Sequence, residues 1–215
     1  GNLLALDQDS GCVYWHYQAR SSIRSSLNLE TTADGVATLF FAADMANVYA
    51  VSANDGALRW RQSLRWFPTT VISGSLAYHD DRLFVPISSF EVAIAGLDNY
   101  PCCRSHGGVV ALSAVDGGVR WEYRTTSHAA VTGKNSAGAD QWGPSGAAVW
   151  TTPAIDVKRA VLYVGSGENT SLPATGTSDA VIALDLASGA TRWIFQALAG
   201  DVWNAACLLG GANCP

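Results

Sequence analysis

Apolar residues in this chain fall into short runs, each ending at a glycine and resuming at a tryptophan. "NLLALDQDSGCVYW", "VYAVSANDGALRW", "GVVALSAVDGGVRW" and "DAVIALDLASGATRW" are the same phrase four times. Aligned on Gly11, Gly56, Gly117 and Gly189, each has an alanine six residues before the glycine (Ala5, Ala50, Ala111, Ala183). Each has a tryptophan four residues after it (Trp15, Trp60, Trp121, Trp193). Runs of this length around a polar, glycine-containing break predict β-hairpins, because glycine supplies the positive φ of a tight turn. Recurrence of three residue types in register predicts a repeat architecture. The glycines recur at intervals of 45, 61 and 72 residues. The first interval matches one four-stranded propeller blade of roughly 40 to 50 residues; the longer two hold a blade plus an insert. A blade cannot bury both faces alone, so a large ring at a fixed place in each repeat is suited to wedge against the next.

Composition narrows the classes. The chain is 48% hydrophobic, 14% charged and carries a net charge of −5, which disfavours nucleic acid as a partner. No apolar run reaches the roughly 18 residues of a membrane span. The five cysteines (Cys12, Cys102, Cys103, Cys207, Cys214) form no C-x-x-C pair, which argues against a zinc or c-type haem motif. Cys207 and Cys214 flank a flexible stretch that closes a small disulfide loop in an oxidising compartment; two buried thiols are the alternative.

Three insert segments hold the candidate chemistry. In "RLFVPISSFE" a strand delivers Phe90 and Glu91 to its end, where a propeller carboxylate points at the central channel or is a solvated loop residue. In "WGPSGAAVWTTPAIDVKRAVLYVGSGENTS" small residues lead to Trp150, a turn follows at "IDVKR", and a buried strand ends at Glu168 and Asn169. Oxygen donors at strand ends suit a hard cation such as calcium; a core aromatic and a plain loop are the bland readings. "GDVWNAACLLGGANCP" carries Asp201, Trp203 and Asn204, or is a frayed terminus.

"A-x-D-x-x-x-G-x-x-x-W" resembles the tryptophan-docking repeat of quinoprotein β-propellers, which use eight blades. The resemblance implies an all-β fold of four-stranded antiparallel blades, with residues 1–215 forming one partial propeller domain, about half of the ring. The chain starts inside a repeat, its single methionine is Met45, and it stops at "GGANCP". The remaining blades are therefore expected elsewhere.

"SSFE" resembles the segment of quinoprotein alcohol dehydrogenases that supplies a calcium-ligating glutamate, which implies that role for Glu91 and a cofactor contact for Ser88. "W-T-T-P-A-I-D-…-Y-V-G-S-G-E" resembles the family segment whose tryptophan is the floor for pyrroloquinoline quinone (PQQ) and whose last residue, there an asparagine, ligates calcium. Trp150 and Glu168 stand at those places. "D-V-W-N" resembles the segment ending in the family's catalytic aspartate, a place held here by Asn204, whose amide cannot accept a proton at neutral pH. Glu168 or Asp201 is then the base, or the site is inactive.

The adjacent Cys102 and Cys103 resemble the vicinal disulfide that roofs the quinone in these proteins, although the pair here follows Glu91. Cys12 is expected to be a buried free thiol. Calcium is expected rather than a lanthanide, since the extra acid of lanthanide relatives would stand at Ala206. The polyvinyl-alcohol-dehydrogenase branch is the most similar in the cysteine pair and the "WNAAC…NCP" ending.

The implied activity is oxidation of secondary or polymeric alcohols, in the periplasm or outside the cell, with a cytochrome c-type electron acceptor. The alternative is a non-catalytic propeller scaffold of outer-membrane assembly. Glu91, Trp150, Glu168 and the adjacent cysteines discriminate against it, having little use in a scaffold.

Overall fold

The computed structural model describes residues 1–208 and 210–215; Leu209, inside the Cys207–Cys214 loop, lies outside them. The chain forms antiparallel sheets with two short helical segments, Glu91–Ile94 and Ala205–Leu208. The first phrase makes a two-stranded hairpin, Asn2–Leu6 with Val13–Gln18. Three four-stranded blades follow. The first consists of Asn28–Thr31, Ala37–Ala43, Asn47–Ser52 and Leu58–Ser63. The second consists of Ala77–His79, Arg82–Ser89, Gly108–Ser113 and Val119–Arg124, with Thr70–Val71 added along the end of Arg82–Ser89. The third consists of Ala154–Asp156, Val161–Gly165, Ala180–Asp185 and Thr191–Gln196.

The repeat has a concrete geometry. In every hairpin the alanine faces the tryptophan directly across the strands: Ala5 with Trp15, Ala50 with Trp60, Ala111 with Trp121, Ala183 with Trp193. The register shifts at the next residue each time, which is the bulge that lets a five-residue turn close the pair. Each turn is closed by the same bond, from the glycine N–H to the carbonyl four residues back, for instance Gly117 to Ser113 at 2.9 Å and Gly189 to Asp185 at 2.8 Å. The four glycines sit at φ between 71° and 73°, a region side-chain-bearing residues avoid.

Three of these glycines, Gly56, Gly117 and Gly189, also receive the preceding hairpin's ring. A Cβ at Gly56 would lie 2.5 Å from the Trp15 ring, at Gly117 2.7 Å from Trp60, and at Gly189 2.4 Å from Trp121. The Trp15 and Trp60 indole N–H groups donate to Ala53 O and Ala114 O at 3.1 and 2.9 Å. Trp193 is 47% exposed and meets no such turn.

Alternation along the strands builds one core layer per junction. Phe40 packs with Val48, Val85 and Val110 between the first and second blades. Phe41, its neighbour, packs with Leu3 and Tyr49 toward the hairpin. Val109, next to Val110, packs with Phe84, Trp121 and Ile182 toward the third blade. Strands covered on both faces read as the continuous apolar runs "FFAA" and "GVVALS" seen in the sequence.

The cysteines pair as Cys102–Cys103 and Cys207–Cys214. Cys12 is free as expected, but exposed rather than buried: it lies in the turn before the strand Val13–Gln18, its carbonyl accepting from Asp7 N–H.

The segment after the fourth repeat is held, not frayed. Asn213 donates to the carbonyls of Ala95, Leu97 and Tyr100 and accepts from Asn135, so one buried amide ties the terminal segment to the loop after Glu91 and to the insert hairpin Ala130–Lys134/Asp140–Gly143.

Candidate functional site

A hollow of about 200 Å³ opens where the second and third blades meet. The strand Arg82–Ser89 ends on it at Ser88 and Ser89, and Phe90 follows; the strand Val161–Gly165 leads to it through Gly167 and Glu168. Trp150 forms another wall and is 48% exposed. Its ring lies over Gly167, where a Cβ would come 3.0 Å from it, a tight contact that the glycine relieves. The backbone under Glu168 is fixed: Gly167 N–H donates to Ala148 O and Ala147 N–H to Glu168 O at 2.9 and 2.7 Å. Beside it, Asn169 is fully buried, donating to Ser145 O and accepting from Thr175 N–H. Glu168 is thus presented from a rigid turn.

Burial pushes the Glu168 carboxyl above its usual range, and the negative charges of Asp179 and Asp201 push it the same way. Asp179 is raised for the same two reasons, burial and the Asp201 charge. Its backbone is in the left-handed region at φ 47°, and its Oδ2 has no partner among the described residues. A carboxyl with a raised pKa in a cleft is suited to proton transfer.

Ser88, Trp150 and Glu168 therefore share one hollow; the other expected residues do not line it. Glu91 is wholly buried one turn beyond it. Its carboxylate accepts from Tyr100 Oη at 2.8 Å, from Arg104 N–H at 3.0 and 2.9 Å, and from Ser105 N–H at 2.6 Å. Those donors occupy both oxygens, so Glu91 is neither the channel-facing ligand nor the solvated loop residue expected of it. It is the anchor of the loop that follows.

Cys102 and Cys103 are buried in that loop and lie outside the hollow's walls, so their bond is not its roof. Asn204 is likewise buried and spent: its amide donates to Thr170 O and Asn213 O and accepts from Ala206 N–H. Asp201 does not line the hollow: its charge bears on Glu168 and Asp179, and its carbonyl accepts from Asn169 N–H at 3.3 Å. Among the described residues no group of three or more His, Cys, Asp and Glu side chains could hold a metal ion.

His106, which sequence reasoning missed, lies on the hollow's wall. Arg124 Nη1 is 2.6 Å from its Nε2. A guanidinium only donates, so that nitrogen accepts and the ring is neutral. Burial, then the Arg124 charge, then that of His128 lower its pKa to about 4. Arg124 is itself stacked on Trp66 at 4.2 Å. The signal is the pairing of a strand end with a loop histidine 18 residues away, which no local pattern marks.

Comparison with known proteins agrees with this architecture. The family model "PQQ: Glucose/ethanol/alcohol dehydrogenase, beta-propeller domain" matches residues 88–207. A polyvinylalcohol dehydrogenase of Sphingopyxis sp. (strain 113P3) is 36% identical over 222 residues, covering 100% of this chain and 34% of its own length. One from a Pseudomonas sp. is 36% identical over 219 residues with the same coverage. The chain thus spans about a third of the length of these relatives. Among solved structures, a europium-containing methanol dehydrogenase superposes with a TM-score of 0.70 at 16% identity, covering 94% of this chain and 39% of the other, a likeness of fold. The chain belongs to the PQQ-dependent alcohol dehydrogenase β-propeller family.

Proposed function

We propose that this chain supplies a quinone-binding wall and the proton acceptor of an enzyme that oxidises secondary or polymeric alcohols. The observation that carries this reading is the hollow shared by Ser88, Trp150 and Glu168. A flat, half-exposed indole suits the face of a planar quinone. The Ser88 and Ser89 hydroxyls and the neighbouring backbone suit its polar rim. PQQ, when bound, supplies the electrophilic carbonyl that accepts hydride from the alcohol carbon. The residues of this chain do the rest. Trp150 orients the ring, and the apolar walls at Val71, Phe90 and Val92 exclude water. Glu168, ionised and held above its ordinary pKa, takes the hydroxyl proton.

The residues present do not fit the calcium pair implied by the resemblance. Glu91 is buried with both oxygens engaged by three donors and does not line the hollow, and Glu168 is the one carboxylate on it among the described residues. No step is therefore routed through a metal. Glu168 is assigned as base in preference to Asp201, which does not line the hollow. Two disulfides support a periplasmic or secreted setting, where a cytochrome c-type protein is the natural electron acceptor.

The test uses the full-length protein and PQQ titrated by fluorescence, followed by turnover with a dye acceptor. Trp150→Ala is expected to weaken quinone binding by about 10- to 100-fold. Glu168→Gln is expected to keep binding and lower kcat by about 10²- to 10⁴-fold. Wild-type protein that binds no quinone overturns the reading in favour of a scaffold.

A further inference from the structure

The hollow does not end at Phe90. Two further hollows, of about 280 and 260 Å³, adjoin it, and all three have Val71 and Phe90 as common walls. They run from the site toward the first blade, past Ile72 in one arm and past Pro68, Ile94 and Met45 in the other. Phe90 stands between them with its ring exposed, although its backbone is pinned. Its N–H donates to Thr69 O at 2.9 Å, and the next residue is the buried anchor Glu91. An exposed aromatic on a fixed backbone is a preorganised contact surface.

The chemistry of the walls limits what they hold. They are apolar, with scattered hydroxyls from Ser73, Thr69 and Thr70. In one arm the charges cancel, Arg24 being paired with Asp44 at 3.3 Å; the other has the exposed Arg65 as its single charge. An extended neutral chain with alternating apolar and hydroxyl-bearing carbons matches this pattern, whereas a charged ligand would find one cation at most.

We propose that the groove past Phe90 is a subsite for the non-reacting chain of a long polyhydroxylated alcohol, with Val71 and Phe90 dividing it from the reacting position and Met45 and Ile94 lining its far arm. This rests on the alcohol-oxidising reading above and assigns to it a length selectivity.

The experiment compares full-length wild type with the double variant Met45→Ser/Ile94→Ser, both residues being outside the reacting hollow. The probes are polyvinyl alcohol and pentane-2,4-diol. The variant is expected to lower kcat/KM for the polymer about tenfold and to leave that for the diol within about twofold. Calorimetric titration of polymer into cofactor-free protein is expected to show the same loss of affinity. Equal effects on polymer and diol, or no effect on either, overturn the subsite and hand the groove to packing against other parts of the protein. If wild type oxidises neither alcohol, the alcohol-oxidising reading has failed by itself. The binding titration then decides the groove: polymer affinity weakened by the double variant upholds it, and no polymer binding removes it.

Discussion

Glu91 and Glu168 both follow a strand, and packing separates their roles. Glu91 is enclosed by backbone N–H groups and a tyrosine hydroxyl. Glu91→Gln puts an amide NH₂ against the N–H groups of Arg104 or Ser105. It is expected to destabilise the protein by about 2–3 kcal/mol in a urea titration, and quinone affinity is expected to fall only as far as the Phe90 turn loosens. Glu168 has the opposite setting, raised by burial and by two carboxylates. As a base it works when ionised, so kcat is expected to rise with pH through that raised pKa. Asp201→Asn removes one repelling charge, lowers the Glu168 pKa, and is expected to move the acid limb of the pH–rate profile to lower pH. A limb that stays in place would take the base role from Glu168. Trp150 and Glu168, which flank the hairpin Ala154–Asp156/Val161–Gly165 in one gapless motif, line one hollow. Sequence reading misplaced Glu91 because the donors that consume it come from a loop 13 and 14 residues downstream, folded back by contacts no periodicity records.

The repeated hairpin was legible in full, and the structure gives the reason for each of its letters. Alanine is small because it lies across the strands from tryptophan; the glycine is bare because its turn has positive φ and the preceding ring rests on it. These two demands on glycine can be separated. Gly117→Ala meets both the left-handed backbone and the Trp60 ring, whereas Gly138→Ala, at φ 84° with nothing within 4 Å, meets only the first. Gly138→Ala is expected to cost about 1–2 kcal/mol, and Gly117→Ala at least about 1 kcal/mol more, read as the difference in urea midpoints. Equal losses would mean that the ring contact contributes nothing. The inserts were legible only as inserts. His106 is defined by Arg124, and the terminal segment by Asn213; both are partners across elements rather than along them.

For the molecule as a whole, every tryptophan that docks does so forward, from one hairpin into the next hairpin's turn. Such a contact is heterologous: the surface that gives differs from the surface that receives. Repeated with a constant rotation it closes into a ring, and repeated without closure it makes a filament. The chain described here presents a giving surface at Trp193 and a receiving turn at Gly11, where nothing lies within 4 Å. The same relay that orders the blades within one chain thus works as a valence, with one hook and one eye.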